Sequence, residues 1–426
     1  MTTAPVAVAK VDRAHFFTRP RARPRMRLRR QLPVYSPLTA GALFQSARAI
    51  GQAADPTLRR LALLLEARHP AELTLLCASG TAALTLALRL AARVRGERIV
   101  AIPAYACFDI ATAVVGADLE CVPYDIDPST LGPDPGSFQA ALRSAGMAVV
   151  APIYGVPLDW ETLQTIASAS GATLIEDAAQ GHGAQWRGAR AGSLGDCTVL
   201  SFGRGKGWTG GGGGALLVRD PELVALANDF ALPLPGTKTE LGILARSAVQ
   251  WLFGRPSLYA LPSSIPALGL GETRYKPPVP LESMARGAAA AALATVAAAD
   301  AELETRLANG EYYERAFAGH AGIGVPRAPK GGRPGYLRFA LLRERGVSGL
   351  SDAAAGRDLG AGPPYPLPLP ELPVLKPRLA RNFRTAWRGA HELVRNLITL
   401  PTHSAVTAED RAALVNLIAT GPIPNG

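Results

Sequence analysis

Cysteine is scarce in this chain, with four residues among 426. They are widely spaced and form no Cys-x-x-Cys pair, standing at Cys77, Cys107, Cys121 and Cys197. This spacing argues against a zinc site and against a disulfide framework. The Arg29-Arg30 pair is not followed by a sustained apolar segment, so an export signal is not expected. These features predict a cytoplasmic protein without a metal centre.

Long apolar runs are also missing. No stretch reaches the roughly 18 uninterrupted apolar residues that suggest a membrane-spanning helix. Hydrophobic residues make up 48% of the chain and charged residues 19%, which is the balance of a globular protein and excludes a mainly disordered one.

Acidic residues are almost absent from residues 1–31, where nine Lys and Arg residues stand against Asp12 alone. This segment therefore supplies most of the formal net charge of +11. An arginine-rich arm can bind nucleic acid or an anionic membrane through charge alone. A solvated terminus is the simpler interpretation, so we expect residues 1–34 to form a flexible basic arm, with such contacts as the alternative.

Segments with helical spacing alternate with short strand-like segments between residues 56 and 220. The strand-like segments include "RIVAIPAY", "MAVVAPIYG" and "ATLIEDAAQ", and helical patterns such as "DIATAVVGA" and "DWETLQTIASASG" lie between them. This alternation predicts an α/β domain with a mostly parallel sheet between helices. Its ligand site is expected beyond the carboxyl ends of the strands.

The pattern changes after Asp220. Residues 229–270 are rich in proline and are interpreted as an insertion, with a helix near 239–253. Residues 281–317 are Ala-rich and predict one long helix, and Thr407 predicts the cap of a closing helix. We expect a large domain over residues 35–275 and a smaller α+β domain over 276–426.

Glycine surrounds Lys206 in the segment "SFGRGKGWTGGGGGALLV". Glycine allows unusual backbone angles and lets a bulky planar ligand approach closely. A lysine acts as a nucleophile when it is deprotonated part of the time, which a confined site next to other cations favours. A surface lysine in a flexible loop is the plainer interpretation, and glycine content alone does not exclude it.

Other segments of the same domain carry compatible chemistry. "SGTAAL" places Gly80 and Thr81 at the start of a helix, where unpaired N–H groups and the helix dipole favour a phosphate. Ser201 could offer a hydroxyl to that phosphate. Asp177 ends a strand, where a carboxylate can hold a heteroaromatic nitrogen protonated. Singly these residues are equally good helix caps, but phosphate site, carboxylate and lysine together describe a site for pyridoxal phosphate.

The ordered motifs "SGTAAL", "PIYGVP", "IEDAAQGHGAQWRGARAGSLGD" and "SFGRGKGWTGGGGGALLV" resemble those of the DegT-type nucleotide-sugar aminotransferases, a branch of the fold type I pyridoxal phosphate enzymes. The resemblance implies that Lys206 bonds covalently to the cofactor, that Asp177 pairs with the pyridine nitrogen and that Gln180 contacts the phenolic oxygen. It also implies that the phosphate is held by Gly80, Thr81 and Ser201.

The chain departs from the family pattern at some positions. Cys107 stands where the family commonly stacks an aromatic ring on the cofactor, so Phe108 is taken as the substitute, with Tyr105 as an alternative. The segment "ETRYKPPVPLESM" has no match for an asparagine that the partner subunit often contributes. His182 suits either the acceptor pocket or a structural role.

The presence of Lys206 favours amino transfer, because the family's dehydratases lack that lysine. The resemblance implies a homodimeric aminotransferase that moves an amino group from glutamate or glutamine to a nucleotide-linked ketosugar, in amino-sugar or polysaccharide biosynthesis. Two alternatives stay open. One is a transaminase of a non-sugar cyclic ketone, and the other is a degenerate cofactor fold that serves as a binding or regulatory module.

Overall fold

A seven-stranded sheet forms the centre of the larger domain. The computed structural model describes residues 29–52, 54–263, 273–380 and 386–420. The strands up to residue 218 are β1 (Leu73–Cys77), β2 (Ile99–Pro103), β3 (Glu120–Tyr124), β4 (Met147–Val150), β5 (Thr173–Asp177), β6 (Gln185–Trp186), β7 (Ala189–Arg190), β8 (Cys197–Ser201) and β9 (Gly214–Val218). The sheet order is β1-β9-β8-β5-β4-β2-β3. Strands β2, β3, β4, β5 and β8 are parallel, while β9 is antiparallel to both neighbours, so the predicted mostly parallel sheet is confirmed.

Helices cover this sheet. Those up to residue 263 are α1 (Ala40–Ala49), α2 (Ala54–Arg68), α3 (Gly80–Arg95), α4 (Asp109–Ala117), α5 (Pro135–Leu142), α6 (Trp160–Ser170), α7 (Pro221–Asn228), α8 (Thr237–Phe253) and α9 (Pro256–Ser263). Strands β4 and β9 are buried along their whole length, as strands covered on both faces are. Helix α3 lies against β8 and β9. It begins after the capping side chain of Ser79 and ends before Gly96, which has a left-handed conformation.

The Pro-rich insertion contains the expected helix, here α8. The side chain of Glu240, which is only 2% exposed, fixes α8 in place. Its carboxylate accepts hydrogen bonds from Arg286 Nε at 2.7 Å and from the Gly287 N–H at 3.2 Å. The predicted long helix over 281–317 is divided into α10 (Arg286–Ala294) and α11 (Val296–Phe317). The division falls at the buried Thr295, whose hydroxyl donates to the Thr209 carbonyl at 2.6 Å.

The smaller domain is built on a second sheet. The remaining elements are β10 (Ile323–Gly324), β11 (Gly332–Arg333), β12 (Phe339–Arg343), α12 (Ala353–Asp358), α13 (Arg388–Asn396), β13 (Leu397–Leu400) and α14 (Ala408–Ala419). Strands β10, β12 and β13 form one sheet, and β11 joins β6 and β7 of the larger domain in another. Thr407 caps α14 as predicted, in a reciprocal capping box with Asp410. Helix α10 packs on α1 and α2, so the smaller core begins with α11 rather than at residue 276.

The predicted flexible arm ends in a docked segment. Residues 1–28 lie outside the described residues, but Arg29 pairs with Asp410 through two hydrogen bonds of 2.8 Å. Gln31 is 2% exposed and donates to the same carboxylate at 2.7 Å. Burial acts to raise the pKa of Asp410, but these hydrogen bonds and one from the Thr407 N–H outweigh it and hold the pKa below its ordinary value. Residues 29–31 are therefore fixed to the smaller domain rather than free.

Across the described ranges, no helix combines the length and the apolar character needed to cross a bilayer.

Candidate active site

One pocket lies at the carboxyl ends of the central strands, where an α/β sheet places its ligand site. It encloses about 450 Å³ with its open mouth, of which about 30 Å³ admits a water-sized sphere. Its walls therefore stand close together. The predicted site residues that line it are Gly80, Thr81, Asp177, Gln180, Ser201 and Lys206. We call this the cofactor pocket.

Lys206 lies in the loop that follows β8. Gly205 before it has a φ of 78°, in the left-handed region, and its N–H donates to Ser36 Oγ at 2.8 Å. A Cβ added at Gly207 would lie 2.6 Å from the Cβ of His182, closer than two side chains can approach. Glycine is therefore required on both sides of Lys206, by backbone angle on one side and by packing on the other. The plain alternative of a flexible surface loop does not apply, since Lys206 is half-buried in the pocket wall.

The first turn of α3 meets the end of β8 at Gly80. A Cβ at Gly80 would lie 2.7 Å from Ser201 Cβ and 3.0 Å from Ser201 Oγ. Only glycine permits this contact, which brings the Thr81 and Ser201 hydroxyls to the positive end of the α3 dipole. The Ser79 hydroxyl is already used, since it accepts from the Ala82 N–H at 3.0 Å. The arrangement suits a phosphate group.

Asp177 is the last residue of β5, the strand next to β8. Its Oδ1 accepts from the Ala179 N–H at 3.2 Å. Burial raises the pKa of Asp177 above the ordinary value, while the charge of Lys206 acts in the opposite direction. A protonated ring nitrogen in the pocket would favour the ionised carboxylate and form a charge-assisted hydrogen bond with it.

Gln180 is held on both sides of its amide. Its Oε1 accepts from the Tyr154 N–H at 3.1 Å, and its Nε2 donates to the Tyr365 hydroxyl at 2.7 Å. The amide is therefore oriented, and the second hydrogen on Nε2 can serve a ligand. Tyr154 has a φ of 57°, an uncommon angle for a residue other than glycine and one that cofactor and active sites often retain.

Tyr365 is a site residue that sequence reasoning missed. Its backbone N–H donates to the Tyr105 hydroxyl at 3.2 Å, and the Tyr105 and Tyr154 hydroxyls are 3.1 Å apart. The rings of Tyr154 and Tyr365 are stacked, with centroids 5.9 Å apart. Burial raises the pKa of the Tyr105 and Tyr365 phenols, so both stay neutral at physiological pH. The only local signal was a tyrosine among prolines in "GPPYPLPLP".

Cys107 and Asp109 line the opposite part of the pocket wall, at the start of α4. Burial, with the charge of Asp109, raises the pKa of the Cys107 thiol to about 12, so it is a small neutral group rather than a thiolate. Phe108 is not among the residues that line the pocket. It is 4% exposed and packs near Tyr365, with ring centroids 6.5 Å apart, so it does not reach the position predicted for it.

His403 and Arg204 do not line the cofactor pocket. His403 contacts the Leu32 carbonyl through Nε2 at 2.9 Å and stacks on Tyr35, with ring centroids 5.2 Å apart, which is a structural role. Arg204 is exposed on the loop before Lys206.

The polar groups of the pocket match the functional groups of pyridoxal phosphate. The pocket offers hydroxyls at a helix N-terminus for the phosphate, a carboxylate with a raised pKa for a protonated ring nitrogen, an oriented amide N–H for a phenolic oxygen and a lysine amine for a carbonyl carbon.

Residues 51–240 match the family model described as the DegT/DnrJ/EryC1/StrS aminotransferase family. The match covers somewhat less than half of the chain, and this part of the chain is similar to that family. Every predicted site residue lies inside the matched range, and the aminotransferases of the DegT/DnrJ/EryC1/StrS family are pyridoxal phosphate-dependent. The predicted cofactor is therefore confirmed at the level of the family.

Curated relatives match over a shorter range. The chain is 40% identical over 147 residues to an L-glutamine:2-deoxy-scyllo-inosose aminotransferase of Streptoalloteichus tenebrarius. The match covers 34% of this chain and 34% of that protein. The chain therefore spans about a third of the length of the curated relatives it matches.

Solved structures match over nearly the whole chain. AtS13 from Actinomadura melliaura has a TM-score of 0.69 at 20% identity, over 92% of this chain and 99% of that one. The putative sugar aminotransferase Spr1654 from Streptococcus pneumoniae, solved in a PLP-form, has a TM-score of 0.69 at 18% identity, over 92% and 98%. These likenesses confirm the predicted fold type I architecture.

Proposed function

We propose that the protein is a pyridoxal phosphate-dependent aminotransferase that moves an amino group from glutamate or glutamine to a ketone on a polyhydroxylated ring. The observation that carries the proposal is the cofactor pocket. It gathers Lys206, Asp177 and the Gly80–Ser201 contact at one edge of the sheet, although up to 126 residues of chain separate them. The family of residues 51–240 supports the same reaction.

The residues have separate tasks in this reaction. Bound pyridoxal phosphate supplies an electron sink that makes the C–H bond beside the transferred nitrogen acidic. The Lys206 amine would move protons in both halves of the reaction, from the donor carbon to the cofactor in the first and from the cofactor to the acceptor carbon in the second. Asp177 would accept a hydrogen bond from the ring nitrogen, and its ionised form would keep that nitrogen protonated. Thr81 and Ser201 would orient the phosphate, which would fix the reacting atoms relative to Lys206.

Two classes of acceptor fit this proposal. The first is a nucleotide-linked ketosugar, in amino-sugar or polysaccharide biosynthesis. The second is a free cyclic polyol ketone, and it is favoured by the curated relative that acts on 2-deoxy-scyllo-inosose. A panel of nucleotide-linked ketosugars and free cyclitol ketones, with glutamine or glutamate as donor, separates the two by which acceptor consumes the amino donor.

The visible absorption spectrum of the purified protein tests the first half of the reaction. We expect a cofactor band that bleaches with glutamate or glutamine and that is lost or altered in Lys206→Ala. Lys238→Ala, which changes an exposed lysine on α8, is the matched control and should keep the band. Absence of any band after addition of pyridoxal phosphate would contradict the proposal and favour a binding or regulatory module.

We also propose that the protein acts in the cytoplasm as a homodimer, because fold type I sites are normally completed by a second subunit. Multi-angle light scattering of active protein is the measurement, and an active monomer would contradict this part of the proposal.

A further inference from the structure

A second cavity shares Ala179, Ser201 and Lys206 with the cofactor pocket. It is much larger, with about 280 Å³ open to a water-sized sphere. Its walls come from the end of α2, the loop after β5, the β6–β7 hairpin, α11 and β11. Glu304, at its edge, is exposed, whereas Lys206 is half-buried. The cavity is thus a route from the surface to Lys206.

Two arginines face this cavity from one row of the β11-β6-β7 sheet. The strand register pairs Arg333 with Gln185 and Gln185 with Arg190. Paired residues project from the same face of a sheet, and all three line the cavity. We call them the arginine row. Because neighbouring strands are about 4.8 Å apart, the two arginine backbones are roughly 10 Å apart, and both long side chains can reach one group between them.

Among the described residues, two acids, Asp300 and Glu304, also line the cavity, but neither forms an ion pair with the arginine row. Both arginines are exposed, and within the described ranges neither guanidinium forms an ion pair. The third arginine in the wall, Arg68, is already used, since its Nη2 lies 2.5 Å from Asp300 Oδ1 and its guanidinium lies over the Trp208 ring. Arg190 and Arg333 are therefore available to bind an anion placed between them.

The positive charge of the arginines also affects the two histidines that line the cavity. Burial lowers the pKa of His69 and of His182 to about 3, and the charges of Arg68 and Arg190 act in the same direction. Both imidazoles are therefore neutral at physiological pH. The buried Nδ1 of His182 has no hydrogen-bond partner in the described part of the chain, so it can still bind a polar group of a ligand.

We propose that this cavity binds an anionic group of the substrate, a carboxylate or a phosphate, between Arg190 and Arg333, with the reacting end of the substrate at Lys206. The proposal deepens the proposed function and rests on it for the role of Lys206. The anion has two possible sources, the carboxylate of the amino donor and the diphosphate of a nucleotide-linked acceptor. An acceptor without an anionic group would leave the cavity to the donor.

Calorimetric titration of the full chain saturated with pyridoxal phosphate tests this directly. Glutarate is the probe for the donor carboxylate and uridine diphosphate is the probe for a nucleotide-linked acceptor. We expect one of them to bind, and each of Arg190→Gln and Arg333→Gln to weaken that binding about tenfold, because a charge-assisted hydrogen bond is lost. Arg315→Gln removes an exposed arginine in the last turn of α11 and is the matched control, with affinity unchanged.

The outcomes are separable from those of the spectroscopic test. Binding of glutarate alone assigns the row to the donor, and binding of uridine diphosphate assigns it to the acceptor. Binding of neither probe, or an affinity that is the same in both row variants as in the control, overturns the inference. Because no turnover is required, failure here with a normal cofactor band rejects the anion site and leaves the aminotransferase proposal intact.

Discussion

The close contact at Gly80 predicts that Gly80→Ala damages the cofactor pocket. The new Cβ would lie 2.7 Å from Ser201 Cβ and 3.5 Å from the Leu200 carbonyl oxygen. A rotamer change cannot relieve the first overlap, because the position of a Cβ is set by the backbone. Either the end of β8 or the first turn of α3 must therefore move by several tenths of an ångström.

Neither element moves easily. Helix α3 buries ten of its residues against the sheet, and β8 is paired on both edges, with β5 and β9. Overpacking of this kind costs about 1–3 kcal/mol, which exceeds the gain of up to about 1 kcal/mol that Gly→Ala brings through lower backbone entropy. The same shift displaces the Ser201 hydroxyl from the helix N-terminus, so we expect pyridoxal phosphate to bind about tenfold more weakly.

Cofactor affinity and melting temperature check this together. Dialysed protein is titrated with pyridoxal phosphate by absorbance, and unfolding is followed by circular dichroism. Gly136→Ala is the matched control, because this first-turn glycine of α5 has only Asp134 Oδ1 near its added Cβ, at 3.5 Å. The control should keep its affinity and melt no lower. If Gly80→Ala behaved as the control does, the contact between α3 and β8 would be looser than described.

Three further predictions concern other contacts. Tyr365→Phe removes the hydroxyl that orients Gln180 and should lower stability by about 1 kcal/mol and weaken cofactor retention, as measured by dialysis; unchanged retention would show that the amide is oriented without it. Glu240→Ala leaves Arg286 unpaired and should reduce stability by about 3 kcal/mol in urea unfolding, and a midpoint equal to wild type would contradict the anchoring of α8. Asp410→Asn removes a carboxylate with a lowered pKa. The ionised carboxylate stabilises the folded protein above the ordinary pKa of Asp, and this stabilisation is lost as the pH falls through the pKa of Asp410 in the folded protein. The difference in melting temperature from wild type should therefore shrink between about pH 7 and about pH 3, and a difference independent of pH would refute the ion pair with the N-terminal segment.

Local pattern predicted the elements of the larger domain well. The segment "DIATAVVGA" forms α4 over the same residues, and the segment ending in Asp177 forms β5. These elements follow from apolar periodicity and from turn residues, which act within a few residues of chain. The long helix over 281–317 is different, because its break at Thr295 depends on a carbonyl 86 residues away.

The candidate site divides in the same way. The sequence by itself determined which groups are available: the glycine-flanked Lys206, the strand-ending Asp177 and the small residues that start α3. Their order along the chain was enough to indicate the cofactor, because consecutive strand ends of a parallel sheet meet at one edge.

Only the tertiary structure decided which residues complete that site. Tyr365 is hydrogen-bonded to Gln180, 185 residues away along the chain. Phe108 packs in the core and does not line the pocket. Arg333 of the smaller domain lies in the same row as Arg190 because β11 pairs with β6 of the larger domain. Residues 29–31 are docked for the same reason, since Asp410 lies at the far end of the chain. Periodicity and capping are local and can be read from neighbours in sequence, whereas these contacts depend on how the two domains pack, which no local pattern encodes.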